Sequence, residues 1–167
     1  MKKTDLLVIG GSAGGILSAT TARKAYGDID ITVIRETEEV MVPCGIPYIY
    51  GTLHDTNKNI IPKAMLTDAG IHLLIDRVTH IDREAKTVAT KNNGAIQYKK
   101  MILATGSLPI VPTSIPGHDL ENVFPIIKNK DYLDTLLEKV KPADNVVVIG
   151  GGFIGVEMAE QIRNSGK

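Results

Sequence analysis

The 167 residues include 19 Lys plus Arg and 19 Asp plus Glu, with 43% hydrophobic and 23% charged residues. That composition suits a globular fold with a full core, and a balanced charge without a basic stripe argues against a nucleic-acid or membrane-surface role. No apolar run reaches membrane-spanning length, and a single cysteine cannot close an internal disulfide.

At the N-terminus, Lys2 and Lys3 precede an apolar stretch, but Asp5 and a glycine cluster break it, against a signal peptide. The uninterrupted run LLVI at 6–9 predicts a strand buried on both faces of a parallel sheet. A glycine turn follows. A helix is then predicted from Ala13 to Tyr26, closed by Gly27, and a second strand over 29–34. This is a βαβ unit, the opening of a doubly wound α/β sheet. The loop VMVPCGIPYIYG at 40–51 holds the lone Cys44. Ile46, preceding Pro47, is biased away from helix, so a helix is predicted to start at Pro47 with Cys44 just ahead of its amide end. Pro62 and Gly70 bracket a short helix.

From 71 to 104 the segments HLLI, VTHID, KTVAT and IQY read as strands separated by turns, and KMILATGSLP as a further buried strand ending in a glycine turn. Prolines between 112 and 125 mark a crossing between domains. The segment NKDYLDTLLEKVK predicts an amphipathic helix with Tyr132, Leu133, Leu136, Leu137 and Val140 on one face. The segment VVVIGGGFIGVEMA at 146–159 then repeats the design of LLVIGGSAGGILSA at 6–19. The last strand and helix cannot bury both faces of a parallel sheet, so the final module is expected to be cut off or to lean on a partner.

Both repeats match the dinucleotide fingerprint G-x-G-x-x-G in its confirming context, after a strand and before a helix. The second copy fits fully, with Gly150, Gly152 and Gly155; the first has Gly10 and Gly15, with Ser12 at the middle position. An acid that holds ribose hydroxyls is expected about 20 residues after the turn. Glu36 is the choice, with Arg35 lying over adenine or in solvent.

Together the pieces resemble the FAD-dependent pyridine nucleotide-disulfide oxidoreductases, in the order VIGGSAGG, cysteine loop, ILATGSLP and VVVIGGGFIGVE. The single-cysteine CGIPY is similar to the branch holding coenzyme A-disulfide reductase, NADH oxidase and NADH peroxidase. The resemblance covers the whole chain and implies an N-terminal part of a longer enzyme. The expected fold is a Rossmann-like three-layer FAD-binding domain with inserted antiparallel strands over 1–115. The start of a Rossmann-like NAD(P)-binding domain follows over 116–167. The remainder of the second domain, a later segment completing the FAD site and the dimerisation domain of a homodimer are expected to be missing.

The resemblance also implies the roles of residues. Gly10, Gly11, Ser12, Ala13, Gly14 and Gly15 would face the FAD pyrophosphate. Pro43, Val78, Ala104, Thr105 and Gly106 would join them around the FAD. Gly150, Gly152, Phe153, Ile154, Gly155 and Glu157 would hold NADH or NADPH. Phe153 stands where a tyrosine often covers the nicotinamide pocket, with plain core packing as its alternative. Cys44 would be the catalytic thiol, and no second cysteine follows to make a dithiol. Its partner must then be external: a small-molecule disulfide or thiol, a polysulfide, or peroxide giving a sulfenate. Oxidase and peroxidase relatives tend to carry a histidine in the first glycine turn. Ala13 stands there, which favours disulfide or polysulfide reduction over the NADH oxidase or peroxidase alternative. Leu17, Thr21 and Lys24 share one face of the first helix and would lead substrate to the thiol. The pattern departs from the family at Met41 and Val42, where Ser-Phe is common, and at Lys99, where an aspartate is usual. No metal, nucleic acid or membrane is expected, and the compartment is expected to be the cytoplasm. The rival from another class is a truncated, non-catalytic flavin-binding fragment.

Overall fold

The apolar runs of the first segment become the centre of one mixed sheet in the computed structural model, which describes residues 1–167. Its strands are β1 (Lys2–Ile9), β2 (Ile31–Arg35), β3 (His72–Ile75), β4 (Val78–Asp82), β5 (Thr87–Thr90) and β6 (Gly94–Leu103). They lie in the order β3-β2-β1-β6-β5-β4. The first four in that order are parallel, and β5 and β4 continue as antiparallel partners. All five residues of β2 are buried, as a central parallel strand requires.

The helix α1 (Ala13–Tyr26) buries Gly15, Ile16, Ala19 and Ala22. It stops at Gly27, whose φ of +65° with ψ of −131° is a conformation that glycine takes without strain, and whose N–H donates to Arg23 O. Elsewhere Leu7, Ile9, Ile34 and Leu74 pack with Val88, Ile96 and Tyr98. The short helix α2 (Ala64–Thr67) precedes Gly70, whose φ of +64° lets Ile71 N–H return to Leu66 O. Asp76 is buried and accepts from the backbone N–H groups of Arg77, Asn92 and Asn93 and from both asparagine side chains. These donors hold its carboxyl far below the usual range, the Asn93 amide contributing most.

The segments read as IQY and KMIL are one strand. β6 is continuous through Lys99 and Lys100, because its ladder to β1 runs from Ile96 to Leu103. Lys99 pairs with Asp5 of β1 at 2.5 Å.

Two compact units result, Met1–Val40 with Ile61–Gly106, and Met41–Ile60 with Ser107–Lys167. The cysteine loop therefore clusters with the C-terminal segment, whereas the sequence reading drew its boundary after residue 115. The second unit holds α3 (Lys130–Val140) and α4 (Phe153–Asn164). Leu133, Leu136 and Leu137 pack with Met41, Ile46, Ile49 and Tyr50 from the loop and Met158 and Ile162 from α4, and Tyr132 and Val140 pack at the rim. Gly51 lies against α4 so closely that an added Cβ would stand 2.1 Å from Gln161 O.

The predicted strand over 146–150 does not form. No segment of the chain pairs with it, and Val147 and Ile149 are 84% and 71% exposed. A strand is defined by its ladder, and an apolar run without one remains extended chain.

Candidate functional site

The two glycine turns have nearly the same geometry. Gly10 and Gly150 adopt φ +108° and +114°, values suited to glycine. A Cβ on Gly15 would stand 1.8 Å from Gly10 O, and one on Gly155 would stand 1.9 Å from Gly150 O. In both copies the third glycine thus lets the helix start packed onto the turn. The middle positions explain the serine. Ser12 (φ −97°, ψ −163°) and Gly152 (φ −77°, ψ 177°) are both extended N-caps, a conformation open to any residue.

The starts of α1 and α4 have no side-chain cap and no acid in their first turn. By contrast α3 is capped by Asn129, which accepts from Tyr132 N–H at 3.0 Å, and carries Asp131 in its first turn. The first amides of a helix lack an i−4 partner and carry its positive end. Left uncapped beside a glycine turn, they fit a pyrophosphate.

In the first unit the turn lies at the C-terminal ends of β1, β2 and β6. Ala104 N–H bonds Ile9 O at 2.7 Å, and Gly10 N–H bonds Ile34 O at 2.8 Å. A Cβ on Gly10 would meet Ala104 O at 2.1 Å, so the backbone entering Thr105 and Gly106 crosses directly over the turn. Ala13, Gly14, Thr105 and Gly106 are exposed there. Gly14 has nothing within 4 Å of its would-be Cβ.

Of the residues expected to hold the ribose and to lie over adenine, Glu36 turns outward and Arg35 inward. Glu36 is exposed and pairs with Arg77 at 3.5 Å. Arg35 is 5% exposed. Its Nη1 donates to Gly11 O at 3.4 Å and its Nη2 to Glu38 O, while its Nε has no partner. Burial pulls its pKa down from the ordinary value, and Glu38 opposes that. Glu38 is itself paired with Lys63 at 2.9 Å. Leu17, Thr21 and Lys24 form an exposed stripe on α1. Val78 opens β4 and packs at the rim of the core of the first unit.

In the second unit Cys44 is a free, exposed thiol. It sits inside a 3-10 turn, Pro43–Gly45, which is followed by a π-helical turn, Ile49–Leu53. The helix predicted from Pro47 is present just after it as the π-helical turn Ile49–Leu53, preceded by a separate 3-10 turn that holds Cys44. Ile46 is right-handed helical (φ −58°, ψ −45°) although it precedes proline. Its side chain is buried among Leu133 and its neighbours, and that packing overrides the local bias. Asn59 braces the loop: Val42 N–H donates to its backbone carbonyl at 2.8 Å, and its Nδ2 donates to Val42 O at 3.0 Å. A Cβ on Gly45 would stand 2.0 Å from Asn59 Oδ1. Sequence reasoning missed Asn59, since its role is set by contacts many residues away. Phe153 is 92% exposed, against the core-packing alternative, and Ile154 is exposed beside it, while Glu157 is half-buried.

No helix is long and apolar enough to cross a membrane. A sequence model described as pyridine nucleotide-disulphide oxidoreductase matches residues 4–167. The chain is 34% identical over 99% of its length to an NAD(P)H coenzyme A polysulfide/persulfide reductase of Pyrococcus horikoshii, and 30% identical over 97% to an NADH oxidase of Enterococcus faecalis. It spans 38% of the length of each of these relatives. Among solved structures, an NAD-dependent persulfide reductase from A. fulgidus matches 96% of the chain with a TM-score of 0.83 and 32% identity, the match covering 32% of that structure.

Proposed function

Because the chain belongs to the pyridine nucleotide-disulphide oxidoreductase family, whose enzymes use FAD and NAD(P)H, we propose that it is part of an NAD(P)H-dependent flavoprotein that reduces a small-molecule disulfide or polysulfide through Cys44. Under this reading the first unit binds FAD at the turn Gly10–Gly15 with Ala104, Thr105 and Gly106. Residues 116–167 open the NAD(P) site at Gly150, Gly152 and Gly155. FAD, when bound, supplies the two-electron link between nicotinamide and sulfur.

The carrying observation is the exposed thiol in a turn braced by Asn59, in a chain with no second cysteine. Attack by the Cys44 thiolate on a disulfide forms a mixed disulfide and expels one thiolate, which takes up a proton. Two-electron reduction of that mixed disulfide releases the second thiol and restores Cys44. The net change is one NAD(P)H, one proton and one disulfide giving NAD(P)⁺ and two thiols. Pro43, with its fixed φ, and the Asn59 brace on Val42 restrict the path of the thiol, which lowers the entropy lost in reaching a fixed reactive distance. A reducing cytoplasm would keep this thiol free.

Ala13, which puts no imidazole in the first glycine turn, and the polysulfide/persulfide reductase relative support sulfur chemistry. The NADH oxidase relative favours a second reading, a Cys44 sulfenate formed by peroxide. Treatment of the flavin-loaded protein with peroxide and dimedone, beside mass analysis of what the purified protein carries on Cys44, separates them. Release of coenzyme A or another small thiol on reduction supports the first reading. Stoichiometric dimedone labelling with no bound thiol supports the second.

A further inference from the structure

The turn between β5 and β6 carries Asn92, Asn93 and Gly94, none of which the redox reading uses. An asparagine followed by glycine is open to attack on its own side chain. The backbone nitrogen of the glycine bonds to the asparagine Cγ, the Cγ–Nδ2 bond breaks, and ammonia leaves with the proton of the attacking nitrogen. Water then opens the cyclic imide at either carbonyl, giving aspartate or isoaspartate. Glycine favours ring closure because it has no Cβ in the path and turns freely about its backbone. Gly94 adopts φ +73°, so the hairpin itself calls for glycine at this position. Asn92 precedes a residue with a Cβ and is far less exposed to the same attack.

The closed turn withholds the geometry that the reaction needs. Asn93 Nδ2 donates to Asp76 Oδ2 at 2.6 Å, and Asn93 N–H donates to the same oxygen at 3.0 Å. One carboxylate oxygen thus fixes the side chain beside its own amide, and ring closure must pull Nδ2 away from a charged acceptor. The following peptide is also held. Thr90 Oγ1 accepts from Asn93 N–H at 3.2 Å and donates to Gly94 O at 2.9 Å, and Thr90 pairs with Gly94 at the end of the ladder. Asp76 is buried, whereas Asn93 and Gly94 are exposed, so water reaches the site whenever the turn opens.

We propose that Asn93 is a deamidation site gated by Asp76: the site is silent while the carboxylate grips the Asn93 amide, and it converts to an acid when the turn opens. The product does not fit the closed turn. Its carboxylate would meet Asp76 Oδ2 without a donor to offer, and like charges at that range repel. An isoaspartate would also lengthen the backbone of a tight hairpin by one methylene. The conversion is therefore one-way. Its effect extends beyond the hairpin, since Asp76 N–H bonds Arg35 O at 2.9 Å at the end of β2 and Asp76 Oδ1 takes Arg77 N–H at 2.7 Å.

The test ages the whole 167-residue chain in mildly alkaline buffer and reads each asparagine by peptide mapping and mass spectrometry. Conversion at position 93 should run at least about tenfold more slowly in the folded chain than in the same chain unfolded in urea. Asp76→Asn should speed conversion at position 93 about tenfold or more, with Asn92 far behind and Asn164, which Asp76 does not touch, unchanged. Thr90→Val keeps the carboxylate but removes the second clasp, and should speed position 93 by a smaller factor; it decides the matter if Asp76→Asn fails to fold. Asn93→Asp, built as the product, should exchange its amide hydrogens over residues 90–94 faster than wild type. Equal rates at position 93 in folded and unfolded wild type, or in wild type and the folded variants, overturn the gate. So does an increase in a folded variant that Asn164 shares equally, which reports global opening. A position 93 that stays unconverted in the unfolded chain overturns the site itself.

Discussion

Adjacent glycines in the first turn should respond oppositely to the same change. In Gly15→Ala the new Cβ would stand 1.8 Å from Gly10 O, 2.8 Å from Gly10 C and 3.5 Å from a Val8 methyl. The first distance is roughly 1.6 Å short of ordinary contact. The obstacle is backbone of the turn itself, which cannot rotate away like a side chain, so the start of α1 must lift from β1. Overpacking of this kind costs about 1–3 kcal/mol, and a backbone clash places it at the upper end. In Gly14→Ala nothing lies within 4 Å and the backbone is helical. That change should stabilise by about 0.4–1 kcal/mol, chiefly by restricting the unfolded chain. Urea unfolding of both variants, followed by circular dichroism, measures the difference. Midpoints that fall together, or a Gly15→Ala protein as stable as wild type, would refute the idea that Gly15 exists for close helix–turn approach.

Gly45→Ala should displace the Asn59 side chain and break its bond to Val42 O, and Asn59→Ala should remove the bond outright; either should change the rate at which Cys44 reacts with a chromogenic disulfide, while an unaltered rate would show the brace to be irrelevant to the thiol. Leu133→Ala, at a position with no exposure that packs beside Ile46, Ile49 and Tyr50, should destabilise the second unit by about 2–5 kcal/mol, read as earlier loss of amide protection over residues 46–50. Asp76 has a depressed folded-state pKa, so its contribution is present above the unfolded value near 3.9 and fades as pH falls below it toward the folded value. Asp76→Asn should therefore lower the urea midpoint at pH 7 and narrow its gap to wild type at pH 3; a gap independent of pH would contradict this.

What was legible in the sequence had a local cause. The bounds of α1 follow from apolar spacing and Gly27, and the buried face of α3 follows from its period. The repeat was visible because two glycine turns solve the same packing problem. What was missed depended on distant partners. The lysines of β6 looked like a break, yet the ladder to β1 carries the strand through them. The run at 146–150 looked like a strand, yet a strand needs a neighbour that this chain does not provide. Ile46 obeys its burial and not its proline. Which of Arg35 and Glu36 faces inward was not legible either. Adjacent residues in a strand point to opposite faces, and β2, buried at all five positions, offers no alternation from which to read the register.

The central claim is that Cys44 exchanges with a sulfur substrate and returns to the thiol at the expense of NAD(P)H. Its most direct test is Cys44→Ser in the flavin-loaded protein, with coenzyme A disulfide or polysulfide as acceptor. Acceptor-dependent NAD(P)H oxidation should fall to background while anaerobic bleaching of the flavin by NAD(P)H persists. Turnover equal to wild type in the serine variant would contradict the account.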